Sequence, residues 1–298
     1  MIGIWYGVAA YSLWGLLTLY WRMFPDVPAM QVLGHRIVWS FVVLVAIIAA
    51  SWSARRETFR PLTARGVGLY AVAGGLISVN WLLFLWAVNH GLVVASSLGY
   101  FITPLVNVVM GVVVLRERLR ALQWLAVASA FAGVAWLTWA YGALPWIAVA
   151  LAFSFGGYGL VKKKAPLPSL EGLALETAVL VMPAAAYLVM VHEDGTGSFL
   201  RAGVMTDALL VAAGGVTIVP LLLFASAVRL VPLSVIGILQ YISPTIQFLL
   251  GVFVAREPFT TAQLAGFAIV WFGLIVFGLD GVRARRASTL NVLRGQTA

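Results

Sequence analysis

Apolar residues run along this chain in blocks, each broken by a few polar or charged positions. Blocks of about 20 residues are what an α-helix needs to cross the hydrocarbon core of a bilayer at 1.5 Å per residue. The pattern predicts ten helical spans, at 3–21, 30–50, 67–88, 94–115, 121–141, 145–161, 172–191, 208–229, 233–254 and 262–280. The block at 145–161 is the shortest. The breaks are short, so no soluble domain is expected between spans. The first block follows no basic leader and shows no small-residue cleavage site, so it reads as a retained helix and not a signal peptide.

Two blocks carry the same unusual text. Residues 99–117 read GYFITPLVNVVMGVVVLRE and residues 239–257 read LQYISPTIQFLLGVFVARE. Each has a proline inside an apolar run (Pro104, Pro244), an amide three residues on (Asn107, Gln247), then a glycine and a closing Arg-Glu pair. The offset is 140 residues, as from Pro104 to Pro244, and it holds well beyond these stretches. Gly74 and Gly75 match Gly214 and Gly215, Gln123 matches Gln263, and Gly133 matches Gly273. Glycine, proline and Arg-Glu at one fixed offset indicate internal duplication. Each copy holds five spans, an odd number, so the second copy enters the membrane from the other face. The expected fold is an all-α polytopic membrane protein, with ten transmembrane helices as two inverted five-helix repeats. The halves are 1–141 and 142–281, followed by a basic, disordered cytoplasmic tail at 282–298.

Composition agrees. The chain of 298 residues is 62% hydrophobic and 10% charged, against about 45–50% and 25% for soluble domains. With no cysteine, disulfides and thiolate metal sites are excluded. The net charge of +9 could point to nucleic acid, but its placement explains it otherwise. With the N-terminus inside, one set of loops holds Arg55, Arg56, Arg60, Arg65, Arg116, Arg118, Arg120, Lys162, Lys163, Lys164, Arg229, Arg283, Arg285, Arg286 and Arg294. The opposite set holds Arg22, Arg201 and Arg256. Cytoplasmic loops carry the excess of Lys and Arg, so both termini are expected in the cytoplasm and no nucleic-acid partner is needed. Tyr20, Trp21, Trp139, Tyr141 and Trp146 cluster where an outer aromatic belt belongs.

The stretches AYSLWGLLTLYWR, LGHRIVWS, NWLLFLWAVNHG, SLGYFITPLVNVVMG, SLEGLALET and LQYISPTIQFLLG make the chain resemble the drug/metabolite transporter superfamily, with two EamA-type halves. Within it the chain looks like the RarD branch of chloramphenicol-sensitive permeases. The resemblance spans residues 3–280. It implies a bacterial-type inner-membrane protein of ten helices. It also implies a central cavity lined by helices 1–4 and 6–9, and export of metabolites, amino acids or drugs.

The candidate site residues come from polarity at membrane depth. Pro104 and Pro244 cannot donate to the carbonyls of Tyr100 and Gln240, and a freed carbonyl in hydrocarbon must face protein or water. Tyr100, Thr103 and Asn107 share one helix face, as do Gln240, Ser243 and Gln247. This stripe reads either as a cavity wall or as interhelical hydrogen bonding. Tyr241 sits one position on. Asn80, Trp81 and Trp86 are further candidates, with packing as the plainer reading of the tryptophans. Arg36 is open between snorkelling to the interface and a role in meeting a substrate carboxylate or in gating. A direct Arg36–Glu176 pair is disfavoured, because the inversion puts them on opposite sides of the midplane. His35 and Glu176 are candidates for coupling, with an interfacial Glu176 as the alternative. Glu117 and Glu257 read as turn structure, and Thr260 with Gln263 as a capping box. His90 and His192 read as wet. Three scattered histidines make no metal site, and no cofactor is expected.

These features point to a secondary transporter of a small organic solute, directed outward and working by alternating access. The alternatives are a facilitative uniporter or channel-like pore, or a membrane scaffold. An intramembrane enzyme finds no nucleophile–base or paired-carboxylate set. The expected partners are a small-molecule substrate and membrane lipid, with a homodimer left open.

Overall fold

A computed structural model describes residues 2–21, 23–24, 26–51, 63–89, 93–141, 146–254 and 260–296. Among them the chain is helical, with short turns between helices. The helices are α1 (Ile2–Trp21), α2 (Ala29–Ala50), α3 (Ala64–Asn89), α4 (Val93–Val113), α5 (Ala121–Tyr141), α6 (Trp146–Lys164), α7 (Ser169–Glu193), α8 (Val204–Leu230), α9 (Leu233–Gln240), α10 (Ile242–Phe253) and α11 (Thr261–Gln296). Proline and glycine place several of the boundaries. Pro28, Pro168 and Pro232 precede α2, α7 and α9, where a fixed φ near −60° suits a helix start. Gly203, at φ 104°, precedes α8.

Seven of these helices are long and apolar enough to cross a membrane, and the apolar stretch Gly99–Val113 is shorter. The other two expected spans have specific reasons to fall outside that set. The 233–254 span breaks at Tyr241 into α9 and α10. The last turn of α6 holds three lysines. Pro104 lies within a continuous α4, whereas Pro244 falls in the first turn of α10, where its missing N–H is tolerated. The two prolines thus shape their helices differently. The segment expected as a disordered tail is helical, as α11 runs on to Gln296.

α5 packs along α11, and α4 packs on both α6 and α9. α1 lies against α8, α9 and α10, α2 against α7 and α8, and α3 against α6 and α7. Glycines set the close crossings. A Cβ on Gly214 of α8 would sit 2.4 Å from the Trp39 carbonyl carbon of α2, and one on Gly74 of α3 would sit 3.3 Å from the Glu176 carbonyl of α7. Gly133 of α5 meets Val270 and the Gly266 carbonyl of α11, and Gly273 of α11 meets the Ala126 carbonyl of α5. Small residues let helix backbones approach where lipid offers no hydrophobic drive for association.

An aromatic cluster fills the centre: Tyr11 and Trp14 from α1, Phe155 and Tyr158 from α6, and Phe224 from α8. Tyr158 stacks on Phe224 with centroids 5.9 Å apart. A second cluster joins Phe101, Leu137, Tyr241 and Phe267 around the α5–α11 contact. At one end of the bundle the Glu117 carboxylate accepts from the Leu233 and Ser234 N–H groups, at 2.7 and 2.9 Å, and from the Ser234 hydroxyl. It caps α9 from a distant turn. Lys163 donates to the Val228 and Val231 carbonyls at the end of α8, satisfying acceptors that a helix C-terminus leaves open.

Candidate functional site

Polar side chains at membrane depth gather around one internal cavity. α2 supplies Arg36 and Ser40, α3 Ile77 and Trp81, α6 Tyr158, α7 Glu176 and Thr177, and α8 Thr217. The space available to water-sized occupants is only about 20 Å³, room for about one water. A drug-sized ligand needs several hundred Å³, so the cavity in this conformation is closed down around its own side chains.

Arg36 forms one side. Its guanidinium lies 4.5 Å from the Trp21 ring centroid and 4.9 Å from that of Trp81. Such distances are within cation–π range. Nε donates to the Thr217 hydroxyl at 3.1 Å. Arg36 is seven residues into α2, about 10 Å from the helix end, and it is held by aromatic and hydroxyl partners inside the protein. Snorkelling therefore does not describe its position.

The other side is a buried ion pair. Glu176 accepts from Lys162 at 2.7 Å and from the Tyr158 hydroxyl at 3.2 Å. The Lys162 and Glu176 side chains are each 3% exposed. This corrects the interfacial reading of Glu176, because α7 starts at Ser169, three residues before the expected boundary at 172. Glu176 therefore lies about two turns inside. It also corrects the reading of Lys162 as a loop charge. Of three consecutive lysines at 100° per residue, one must follow Tyr158 at i+4 and face inward. That spacing was the available signal, masked by the run of like charges. The pair also leaves Glu176 with a partner other than Arg36, and no ion pair joins Arg36 to Glu176 among the described residues.

Of the remaining candidates, Tyr100 lies within electrostatic reach of Arg36, and the others are placed elsewhere. Asn107 of α4 donates to the Gln240 amide oxygen of α9 at 2.7 Å, and both are buried. Thr103 bonds back to the Gly99 carbonyl. The amide pair thus takes the interhelical alternative, at a crossing where a Cβ on Gly237 would lie 2.5 Å from the Pro104 carbonyl. Ser243 and Gln247 are half-buried on α10 and are not among the cavity-lining residues. Tyr241 is buried and donates to the Phe101 carbonyl in the peripheral cluster. Asn80 donates to Leu151 and Ser154 of α6. Tyr100 stacks edge-on with Phe84. His35 accepts from Trp39 and packs on Phe199. It lines a second cavity of about 250 Å³ between α2, α7 and residues 197–199, with Gln31 and His192, so it does not join Glu176. Trp21, assigned from sequence to the interfacial belt, instead covers Arg36, whereas Trp139 and Trp146 are exposed as a belt requires. The side chains of Trp86 and Gln263, and residues His90 and Glu257, lie outside the described residues.

A bundle of apolar, membrane-length helices around a charged interior cavity defines an integral membrane protein. The sequence profile of the EamA-like transporter family matches residues 1–139 and again residues 144–279, so the chain belongs to that family and is a membrane transporter of the drug/metabolite superfamily. It is 46% identical to "Protein RarD" of Streptomyces exfoliatus, over 96% of this chain and 91% of that one. It is 42% identical to the "Uncharacterized transporter YojE" of Bacillus subtilis, over 96% of each chain. It is 40% identical to "Protein RarD" of Escherichia coli, over 96% of this chain and 97% of that one. A solved crystal structure at 17% identity superposes with a TM-score of 0.70, over 92% of this chain and 96% of that one, which speaks to the fold alone.

Proposed function

We propose that the protein is a secondary transporter that moves a small organic solute by alternating access between two inverted five-helix halves. The observation that carries this reading is the cavity. It is enclosed by α2 and α3 of one half and α6, α7 and α8 of the other, and residues at matching repeat positions, Arg36 and Glu176, both line it. Each sits about 10 Å into its helix, from opposite ends of the bundle. The two matches of the family profile support a duplicated architecture. So do the helix contacts. Exchanging the halves maps α1 on α8 to α6 on α3, α2 on α8 to α7 on α3, and α4 on α6 to α9–α10 on α1. Halves related in this way can exchange conformations and so convert an inward opening into an outward one.

The small volume of the cavity suits an occluded intermediate in that cycle. The lysine and arginine asymmetry supports cytoplasmic termini, the bacterial relatives support an inner membrane, and export is the direction we assign. Counterflow in proteoliposomes tests the reading, with labelled amino acids, nucleosides, chloramphenicol and organic acids. Saturable counterflow of one solute is the expected result. Flat traces across the panel, from protein shown to be folded, would refute it in favour of a non-transporting scaffold, and flux without counterflow would indicate a pore.

A further inference from the structure

We infer that the cargo is an organic monocarboxylate with an apolar body, held by the in-plane edge of Arg36. This rests on the transport reading and adds a substrate class to it. The guanidinium carbon lies over the Trp21 and Trp81 rings, and Nε is taken by Thr217. The two terminal nitrogens donate to no protein group among the described residues, and Arg36 lines the cavity. The N–H groups of a planar guanidinium point outward along its edge. That edge matches a carboxylate through two parallel hydrogen bonds. The Thr217 hydroxyl accepts from Nε and keeps its own hydrogen to donate to the same anion. Ser40 and Thr177, by contrast, already donate theirs to the Gly214 and Leu173 carbonyls.

Charge balance narrows the class. Lys162 and Glu176 neutralise each other, so among the described residues the cavity keeps one uncompensated positive charge, on Arg36. An unpaired charge at membrane depth is costly, and a monoanion removes it. A zwitterion would bring an ammonium group to a cavity whose carboxylate is already bonded to Lys162 and Tyr158. A phosphate ester would bring a second negative charge, with no second free cation among the described cavity residues to meet it. The rest of the lining is apolar, with Ile77, Leu180 and Leu221, and calls for an apolar body.

The test uses purified full-length protein in nanodiscs and solutes in matched sets: benzoate with benzamide, hexanoate with hexanamide, and 3-phenylpropanoate with phenylalanine. The Tm is followed against concentration, since a ligand of the folded state raises it. A carboxylate is expected to raise Tm saturably where its amide or amino-acid counterpart does not. Arg36→Gln should weaken that binding roughly ten- to a hundredfold, the loss of hydrogen bonds to a charged group. Arg36→Lys, which keeps the charge without the fork, should fall between and controls for misfolding. Equal response to the uncharged or zwitterionic member, equal carboxylate binding by Arg36→Gln, or no response to any carboxylate would overturn the inference. Counterflow of the same solutes separates the two readings. A carboxylate that binds through Arg36 but shows no counterflow refutes transport and leaves the anion site standing. Counterflow confined to neutral or zwitterionic solutes refutes the anion site and leaves transport standing.

Discussion

Glu176→Gln should destabilise the protein severely, and the reason is geometric. The Lys162 ammonium is 2.7 Å from one carboxylate oxygen, and the Tyr158 hydroxyl is 3.2 Å from the other. Both side chains of the ion pair are 3% exposed, so bulk water does not screen them. Removing one partner of such a pair leaves a desolvated charge behind, at a cost of about 3–5 kcal/mol. Glutamine keeps one acceptor oxygen for Lys162 and turns a donor NH2 toward the Tyr158 oxygen, which places the loss near the lower end, about 3 kcal/mol. Lys162→Met should be milder, because the stranded Glu176 can bind a proton and become neutral. The double variant Lys162→Met/Glu176→Gln removes both charges and should recover most of the loss. The coupling energy from the cycle should exceed about 1 kcal/mol, as for residues in one network. Reversible unfolding in mixed micelles, read by tryptophan fluorescence and circular dichroism, gives the four stabilities. If Glu176→Gln stays within about 0.5 kcal/mol of the wild type, the level of an ordinary surface change, or if the two single effects simply add, the buried pair is not what the geometry indicates.

Two further outcomes follow from the packing. Glu117→Ala removes three hydrogen bonds at the start of α9 and should lower stability by about 1–2 kcal/mol, as a lost helix cap does; an unchanged unfolding midpoint would contradict the cap. Gly214→Ala drives a methyl group to 2.4 Å from the α2 backbone, while the next residue, Gly215, faces open space. The first should cost about 1–3 kcal/mol by overpacking, and Gly215→Ala should be neutral or stabilising by up to about 1 kcal/mol through helix propensity. Equal effects at the two positions in the same unfolding assay would refute the close α2–α8 crossing.

Much of this molecule was legible in one dimension. Membrane helices satisfy their own backbone hydrogen bonds, so hydropathy alone marks where they run. Residues 121–141 were read to the residue, and α2 and α6 to within a few. The repeat was legible because Gly, Pro and Arg-Glu recur at one offset. The expectation that Arg36 and Glu176 form no direct pair agrees with the described residues, where Glu176 is paired with Lys162 instead.

Tertiary structure decided which face of each helix meets which neighbour. In a chain that is apolar on nearly every side, periodicity carries little information about that. Spacing puts Asn107 and Gln240 on polar stripes but does not choose between a cavity wall and interhelical bonding; they meet each other across α4 and α9, where Gly237 admits the Pro104 carbonyl. Lys162 looked like one of three loop lysines until the register of α6 placed it below Tyr158 and against Glu176. Trp21 looks interfacial in the sequence, yet its ring lies against Arg36 of α2. Sequence determined which residues lie at membrane depth. Only packing between distant helices decided which of those polar groups pair with one another and which, like the edge of Arg36, are left to face the cavity.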